Sequence, residues 1–252
     1  MLEIDRLGHA YAGHTALSGV SLRIADGELV SIVGPSGCGK STLLRCVAGL
    51  VRPTQGRVLL DGTPVSGIPV GLAVVFQDYS RSLMPWLSVR DNVMLPLRRQ
   101  GTKQRRREAA LAALDAVGLA DAAGRYPWQL SGGMQQRVAI ARALARRPTL
   151  MLMDEPFGSV DAQTREDLED LVLRVRGTGM TILLVTHDID ESVYVGDRVV
   201  VLGGTPGTVL ADLPVRLPVR GDQITTRELP EFVHLRAEVG RLVRGRAPAP
   251  AD

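Results

Sequence analysis

The run Gly34-Pro35-Ser36-Gly37-Cys38-Gly39-Lys40-Ser41-Thr42 fits the pattern G-x-x-x-x-G-K-[ST]. Glycines at 34, 37 and 39 allow positive φ, so successive N–H groups can converge on phosphate oxygens where a helix begins. Lys40 is expected to reach the β and γ phosphates of a nucleotide, and the Ser41 hydroxyl to hold Mg²⁺. Farther on, Leu150-Met151-Leu152-Met153-Asp154-Glu155-Pro156 places two adjacent carboxylates at the end of an apolar run. Asp154 is expected to hold Mg²⁺ through water, and Glu155 to polarise a water that attacks the γ-phosphate. Taken together, these residue types could transfer a phosphoryl group to water. A glycine-rich stretch alone is often only a turn, but the full pattern set between a strand and a helix outweighs that reading.

These groups need elements to hold them. Glu28 to Val33 reads as a strand feeding the loop, and Ser41 to Gly49 as the helix leaving it. Leu150 to Met153 suits a strand buried on both faces of a parallel sheet, with its carboxylates at the end where such sheets bind ligands. Residues 2 to 7 and 17 to 24 alternate apolar with polar, notably Val20, Leu22 and Ile24, and turn at Asp26-Gly27. They read as antiparallel strands beside the loop. From about Leu87 to Pro148 helical patterns take over: Leu111, Leu114 and Val117 mark one apolar face, and Val138, Ala141, Leu144 and Ala145 another. Leu168, Leu171, Val172 and Val175 give a further helix ending near Gly177, followed by strands at Thr181 to Thr186 and Val199 to Leu202. Pro230 opens a last helix through Phe232, Leu235, Val239 and Leu242. The expected fold is therefore an α/β P-loop NTPase with a mixed sheet core, an antiparallel β subdomain and an inserted helical subdomain.

Between the loop and the carboxylates lies Leu130-Ser131-Gly132-Gly133-Met134-Gln135-Gln136. Ser131 offers a hydroxyl, the glycines permit close backbone approach, and a helix dipole begins there. Isolated, Ser-Gly-Gly reads more readily as a capping turn. Placed after a phosphate loop and just before an Asp-Glu strand, it resembles the defining segment of the nucleotide-binding subunits of ABC transporters. That resemblance implies that Ser131, Gly132 and Gly133 cap the γ-phosphate held by the phosphate loop of a second subunit, so that two copies build two sites. It further implies that Tyr11 stacks on adenine, that Gln77 senses Mg²⁺ and the attacking water, and that His187 contacts the γ-phosphate. Ser159-Val160-Asp161 takes the place of the dimer-contacting loop, departing from the commoner Ala-Leu-Asp form while retaining the carboxylate of Asp161. Since the chain shows no internal repeat, the second site must come from another chain.

The stretch Gln77 to Val93, with Asp154 to Gly158, Asp161 to Arg165 and Thr186 to Ser192, is similar to importer ATPases of the nitrate, sulfonate and taurine group. The function this implies is ATP hydrolysis, with ATP and Mg²⁺ as cofactors, coupled to uptake of a small anion or sulfur compound. The partners implied are a second copy in an ATP-sandwich homodimer, transmembrane permease subunits and, indirectly, a substrate-binding protein. In that group the segment after the glutamine takes up a coupling helix of the permease; Met84, Pro85, Trp86 and Leu87 suit this, although Trp86 could equally be core. The contrasting possibility is a soluble ABC ATPase acting on DNA, ribosomes or iron–sulfur assembly, which the missing coiled-coil insertion and missing second ATPase domain disfavour. Residues 1–245 are expected to form one ATPase domain: a nucleotide-binding core at 1–86 and 149–225, a helical subdomain at 87–148 and a C-terminal helix at 226–245. Residues 246–252 are expected to be a disordered tail.

At 252 residues, 45% hydrophobic and 23% charged, the composition is that of an ordinary globular protein. No apolar run approaches the roughly 20 residues that span a bilayer, and Met1-Leu2-Glu3-Ile4-Asp5 lacks the pattern of a secretory signal. The expected location is the cytoplasmic face of the membrane, through a partner. A pI near 9.2 raises the question of nucleic acid. However, the basic residues cluster at Arg98, Arg99, Lys103, Arg105, Arg106 and Arg107, where a solvated helix start explains them, so no nucleic-acid partner is expected. The two cysteines, Cys38 and Cys46, stand too far apart along one loop and helix to bridge. Alkylation of Cys38, within the loop, is expected to block hydrolysis and ATP to protect against it.

Overall fold

The computed structural model describes residues 1–78, 82–158 and 160–245, so Ser159 of the dimer-contacting loop, Tyr79, Ser80 and Arg81 of the importer-like stretch, and the tail 246–252 lie outside the described residues. The chain divides into two compact units, Met1–Val70 with Val172–Asp252, and Gly71–Leu171.

In the first unit, β1 (Leu2–Tyr11) pairs antiparallel with β2 (His14–Ile24) and with β4 (Gln55–Leu60), which in turn pairs with β5 (Thr63–Pro64). The alternation seen at Val20, Leu22 and Ile24 is the buried face of β2. A second sheet has the order β10 (Thr208–Pro214), β9 (Arg198–Gly203), β3 (Leu29–Val33), β8 (Thr181–Thr186). β3 runs parallel to both neighbours and is wholly buried, whereas β10 pairs antiparallel with β9 at the margin, which makes the sheet mixed. Apolar runs such as Ile182–Val185, and Leu29–Val33 broken only by the buried Ser31, are what a strand covered on both faces requires. Helices α1 (Lys40–Val47), α6 (Ile189–Val195), α7 (Gln223–Glu228) and α8 (Pro230–Val243) complete this unit.

The second unit holds the parallel pair β6 (Leu72–Val75) and β7 (Leu150–Asp154). Between them in sequence lie α2 (Val89–Met94), α3 (Lys103–Ala116) and α4 (Gly132–Leu144). Helix α5 (Ala162–Arg176) starts in this unit and ends in the first. Thr102 caps α3 through Arg105 N–H, and Lys103, Arg105 and Arg107 are exposed, as a solvated helix start demands. One expectation needs correcting. Leu111 is exposed, and the buried face of α3 is Ala110, Ala113, Leu114 and Val117. Those four follow the i, i+3, i+4, i+7 stripe, from which Leu111 lies about 100° away around the helix.

Candidate active site

In the first unit, strand register sets the geometry. Val33 of β3 is paired with Thr186 of β8, so the phosphate loop and His187 leave adjacent strand ends on the same side. Gly37 and Gly39 have φ of 83° and 94°, values that L side chains rarely adopt and that turn the loop's N–H groups inward. Lys40 is buried at the start of α1, and its Nζ donates to the carbonyls of Gly34 at 2.7 Å and Pro35 at 3.1 Å. The ammonium therefore folds back over the loop instead of pointing to bulk water. Ser36 and Ser41 are exposed and Thr42 is half-buried. Tyr11 sits at the end of β1, 41% exposed, with the His9 ring edge-on at 4.3 Å. His187 is exposed at a turn anchored by Thr186, whose hydroxyl donates to Glu191 at 2.6 Å and accepts Asp188 N–H at 3.0 Å.

The loop is held from behind by a residue that sequence reasoning passed over. Gly207, in the turn between β9 and β10, donates its N–H to Ala16 and accepts from Ser18 N–H, both at 3.0 Å. A Cβ placed on Gly207 would lie 1.9 Å from the Cys38 carbonyl oxygen. Gly39 is as tightly confined: its Cβ would fall 2.5 Å from Leu17 Cδ2. β2, the phosphate loop and the β9–β10 turn thus meet with no room for a methyl group. The only trace of this in the sequence is the succession of glycines around Pro206, at 203, 204 and 207.

Cys38 does not line the loop's open side. It is 2% exposed, with its sulfur against Gly34, where a Cβ would approach it to 2.9 Å. Burial pushes the Cys38 thiol up from its ordinary range despite the nearby Lys40 charge, and burial pushes Cys46 up to about 11. A buried, protonated thiol is a poor nucleophile, so alkylation of Cys38 is expected to be slow in the folded protein. Both thiols should resist iodoacetamide in the folded protein and react fully in denaturant, as followed by intact mass. Rapid labelling of Cys38 in the folded protein would show that its thiol is accessible after all.

In the second unit the same logic of strand ends recurs. Val75 is paired with Met153, so Gln77 and Glu155, each two residues on, emerge side by side. Gln77 Nε2 donates to Glu155 Oε2 at 2.7 Å. Glu155 has φ of 44°, in the left-handed region that costs a non-glycine residue about 1–2 kcal/mol. Backbone strain of this kind collects where a side chain must be aimed. Asp154, half-buried, ends β7. Gln136, fully buried in α4, donates to the Pro156 carbonyl at 2.7 Å and so ties that helix to the turn after Glu155. In the sequence, a glutamine inside an apolar helical stripe is the signal for such a tie.

Ser131 caps α4 by accepting Met134 N–H at 3.3 Å, and Ser131 and Gly132 are exposed. Gly133 is buried against Thr164: a Cβ there would come within 2.1 Å of Thr164 Cγ2. Asp161 binds Thr164 twice, accepting from its N–H at 2.9 Å and from its hydroxyl at 2.7 Å. Those two bonds hold the Asp161 carboxyl below its ordinary range. The Ser131 segment and the Asp161 turn are thereby one packed assembly.

The segment after Gln77 is organised by buried Asn92 on α2. Its amide accepts Met84 N–H at 2.7 Å and donates to the carbonyls of Met84, Leu87 and Ser88 at 3.0–3.1 Å. This clamp presents Trp86 outward, 71% exposed, which excludes the core reading of Trp86.

Magnesium prefers hard oxygen donors; Ser41 in the first unit and Asp154 in the second each carry one. Among the described residues no group of three or more His, Cys, Asp or Glu could hold a metal ion. No helix among the described residues is long and apolar enough to cross a membrane.

The family model described as ABC transporter matches residues 17–158. The chain is 46% identical over 245 residues to the taurine import ATP-binding protein TauB of Yersinia pestis bv. Antiqua (strain Antiqua), covering 95% of each chain. It is 43% identical over 258 residues to the nitrate import ATP-binding protein NrtD of Synechocystis sp., covering 97% of this chain and 96% of the other. Among solved structures, the dimeric ATP-binding cassette MJ0796 bound to ADP and Pi is similar with a TM-score of 0.75 at 36% identity, covering 86% of this chain and 99% of that one. CbiO1 of Clostridium perfringens, part of the transporter complex cbiONQ, is similar with a TM-score of 0.79 at 28% identity, covering 96% and 98%.

Proposed function

The chain belongs to the ABC transporter family, and from that premise we propose that it is the ATP-hydrolysing subunit of an importer for a small anion or sulfur compound, of the taurine, sulfonate or nitrate type. The observation that carries the reading is the Ser131–Gly133 segment, exposed at Ser131 and Gly132 and packed through Gly133 on the Asp161 turn. With Ser131 and Gly132 exposed at the start of α4, the segment is suited to capping a nucleotide held by a second copy. The similar cassette MJ0796 is itself dimeric. We assign a permease as the membrane partner and the cytoplasmic face of the membrane as the location, on the strength of the importer relatives.

Lys40 and the loop N–H groups hold and neutralise the phosphates, while Tyr11 offers its exposed face to adenine. Ser41 and Asp154 would hold Mg²⁺, which supplies charge neutralisation on the phosphate oxygens. Glu155, aimed by its strained backbone and by Gln77, takes the proton of the attacking water. His187 offsets charge as it develops on the γ-phosphate. Closure of the dimer on two ATP molecules and its reopening after hydrolysis would drive the permease. The division into a nucleotide-binding core, a helical subdomain at 87–148 and a C-terminal helix remains part of this proposal.

The test is to solubilise membranes gently from cells carrying a tagged chain and identify what co-purifies. A polytopic permease supports the importer reading; recovery only in the soluble fraction with ribosomal or DNA-repair proteins would refute it. Trp86, displayed by the Asn92 clamp, is the residue we assign to permease contact. Trp86→Ala should leave ATPase activity of the isolated subunit within about twofold, because an exposed side chain contributes little to the fold. In proteoliposomes with the permease it should uncouple hydrolysis from uptake. Normal coupling would remove Trp86 from this role.

A further inference from the structure

A cavity of about 620 Å³ lies between the start of α6 and one face of α8, beside His187. Its size falls in the range of small-molecule sites. The walls divide by chemistry. Ile189, Val233, Ala237 and Gly240 give an apolar floor, where a Cβ on Gly240 would make only ordinary van der Waals contact with Ile189 Cδ1 at 3.7 Å. Arg236, Arg241 and Arg244 follow the same helix face as the floor and form a basic rim.

The acidic groups facing this space are both engaged. Asp190 is paired with Arg236 Nε at 2.6 Å. Asp188 caps α6, accepting from Asp190 N–H at 2.8 Å and Glu191 N–H at 3.2 Å. Arg241 and Arg244 are the surplus cations, and Arg241 Nε is buried without a hydrogen-bond partner. A buried donor lacking an acceptor, at the rim of an apolar hollow, is matched by a ligand with one anionic head and a short apolar body.

We propose that this cavity binds a small amphipathic organic anion, of the sulfonate class, and that its occupancy restrains the turn carrying His187. The mechanical link is on the same helix: Thr186 and Asp188 tie the His187 turn to the first turn of α6, whose residues form one wall. A ligand bridging α6 and α8 fixes that wall and with it the turn. The effect on turnover rests on the ATPase reading above; the binding does not.

The probe is 1-butanesulfonate, titrated by calorimetry into the full chain saturated with ADP, so that the phosphate loop is already filled. Saturable binding to one site is expected. Its affinity should fall about fivefold or more in Arg241→Ala/Arg244→Ala, and likewise in Ala237→Leu, which fills the floor without removing charge. Saturating probe should also slow ATP turnover of the wild type but not of either variant. No saturable heat, equal affinity in both variants, or equally tight binding of inorganic sulfate at matched ionic strength would overturn the site. Binding with unchanged turnover would overturn its link to His187. Failure of the ATPase reading would show separately, as absent turnover in the probe-free wild type.

Discussion

Glu155→Gln is expected to bind ATP, to dimerise on it, and to turn it over roughly 10²–10⁴-fold more slowly than the wild type, the span ascribed to a positioned general base. The substitution is isosteric. Gln77 Nε2 donates to Glu155 Oε2 at 2.7 Å, and the carbonyl oxygen of a glutamine can accept the same bond. The left-handed backbone at 155 is unchanged, so the new amide occupies the place of the carboxylate. What is lost is the ability to take a proton from water. The variant should therefore accumulate as an ATP-bound dimer, seen by gel filtration with ATP, while phosphate release nearly stops. Turnover at the wild-type rate would remove Glu155 from the role of base.

The second large effect is expected at a residue outside every nucleotide motif. Gly207→Ala should weaken ATP binding by about tenfold or more, a loss of ~1.4 kcal/mol or above. The added methyl carbon would lie 1.9 Å from the Cys38 carbonyl oxygen and 3.3 Å from Leu17 Cδ2. Gly207 cannot retreat, because its N–H and carbonyl are both bonded to β2 at 3.0 Å. The phosphate loop must yield instead, and with it the N–H groups that converge on phosphate. Overpacking of this kind also costs about 1–3 kcal/mol of stability. Equilibrium binding of a fluorescent ATP analogue, alongside thermal unfolding, would measure both. An unchanged dissociation constant would mean that the loop tolerates displacement from behind.

Much of the local conformation around these motifs could be read from residue order. Gly34 to Thr42 specified a phosphate loop because its backbone conformation is local: glycines at 37 and 39 with positive φ, followed at once by α1. Leu150 to Glu155 specified a buried strand with terminal carboxylates for a similar reason, since burial on both faces leaves an unbroken apolar run. Other elements left weaker traces. β4, β6 and β10 carry no clean alternation of apolar and polar residue types, the pattern that marked β2. The face of α3 was assigned with Leu111 in it, because three apolar residues fit a helical stripe as well as the true stripe of Ala110, Ala113, Leu114 and Val117. Alanine carries too little hydrophobic weight to decide between them.

The identity of the phosphate loop, the carboxylate pair and the Ser131 segment was written in the order of residues, because each depends on neighbours within a few positions. Partnership across long separations was not. That Gln77 meets Glu155 follows from Val75 pairing with Met153. That His187 leaves beside the phosphate loop follows from Thr186 pairing with Val33. Asn92 holding the Trp86 turn, Gln136 reaching Pro156 and Gly207 closing behind Cys38 are likewise products of packing. A single side chain or missing Cβ acquires such a role only when strand register and helix docking bring its distant partner within a few ångströms, and no local pattern encodes that distance.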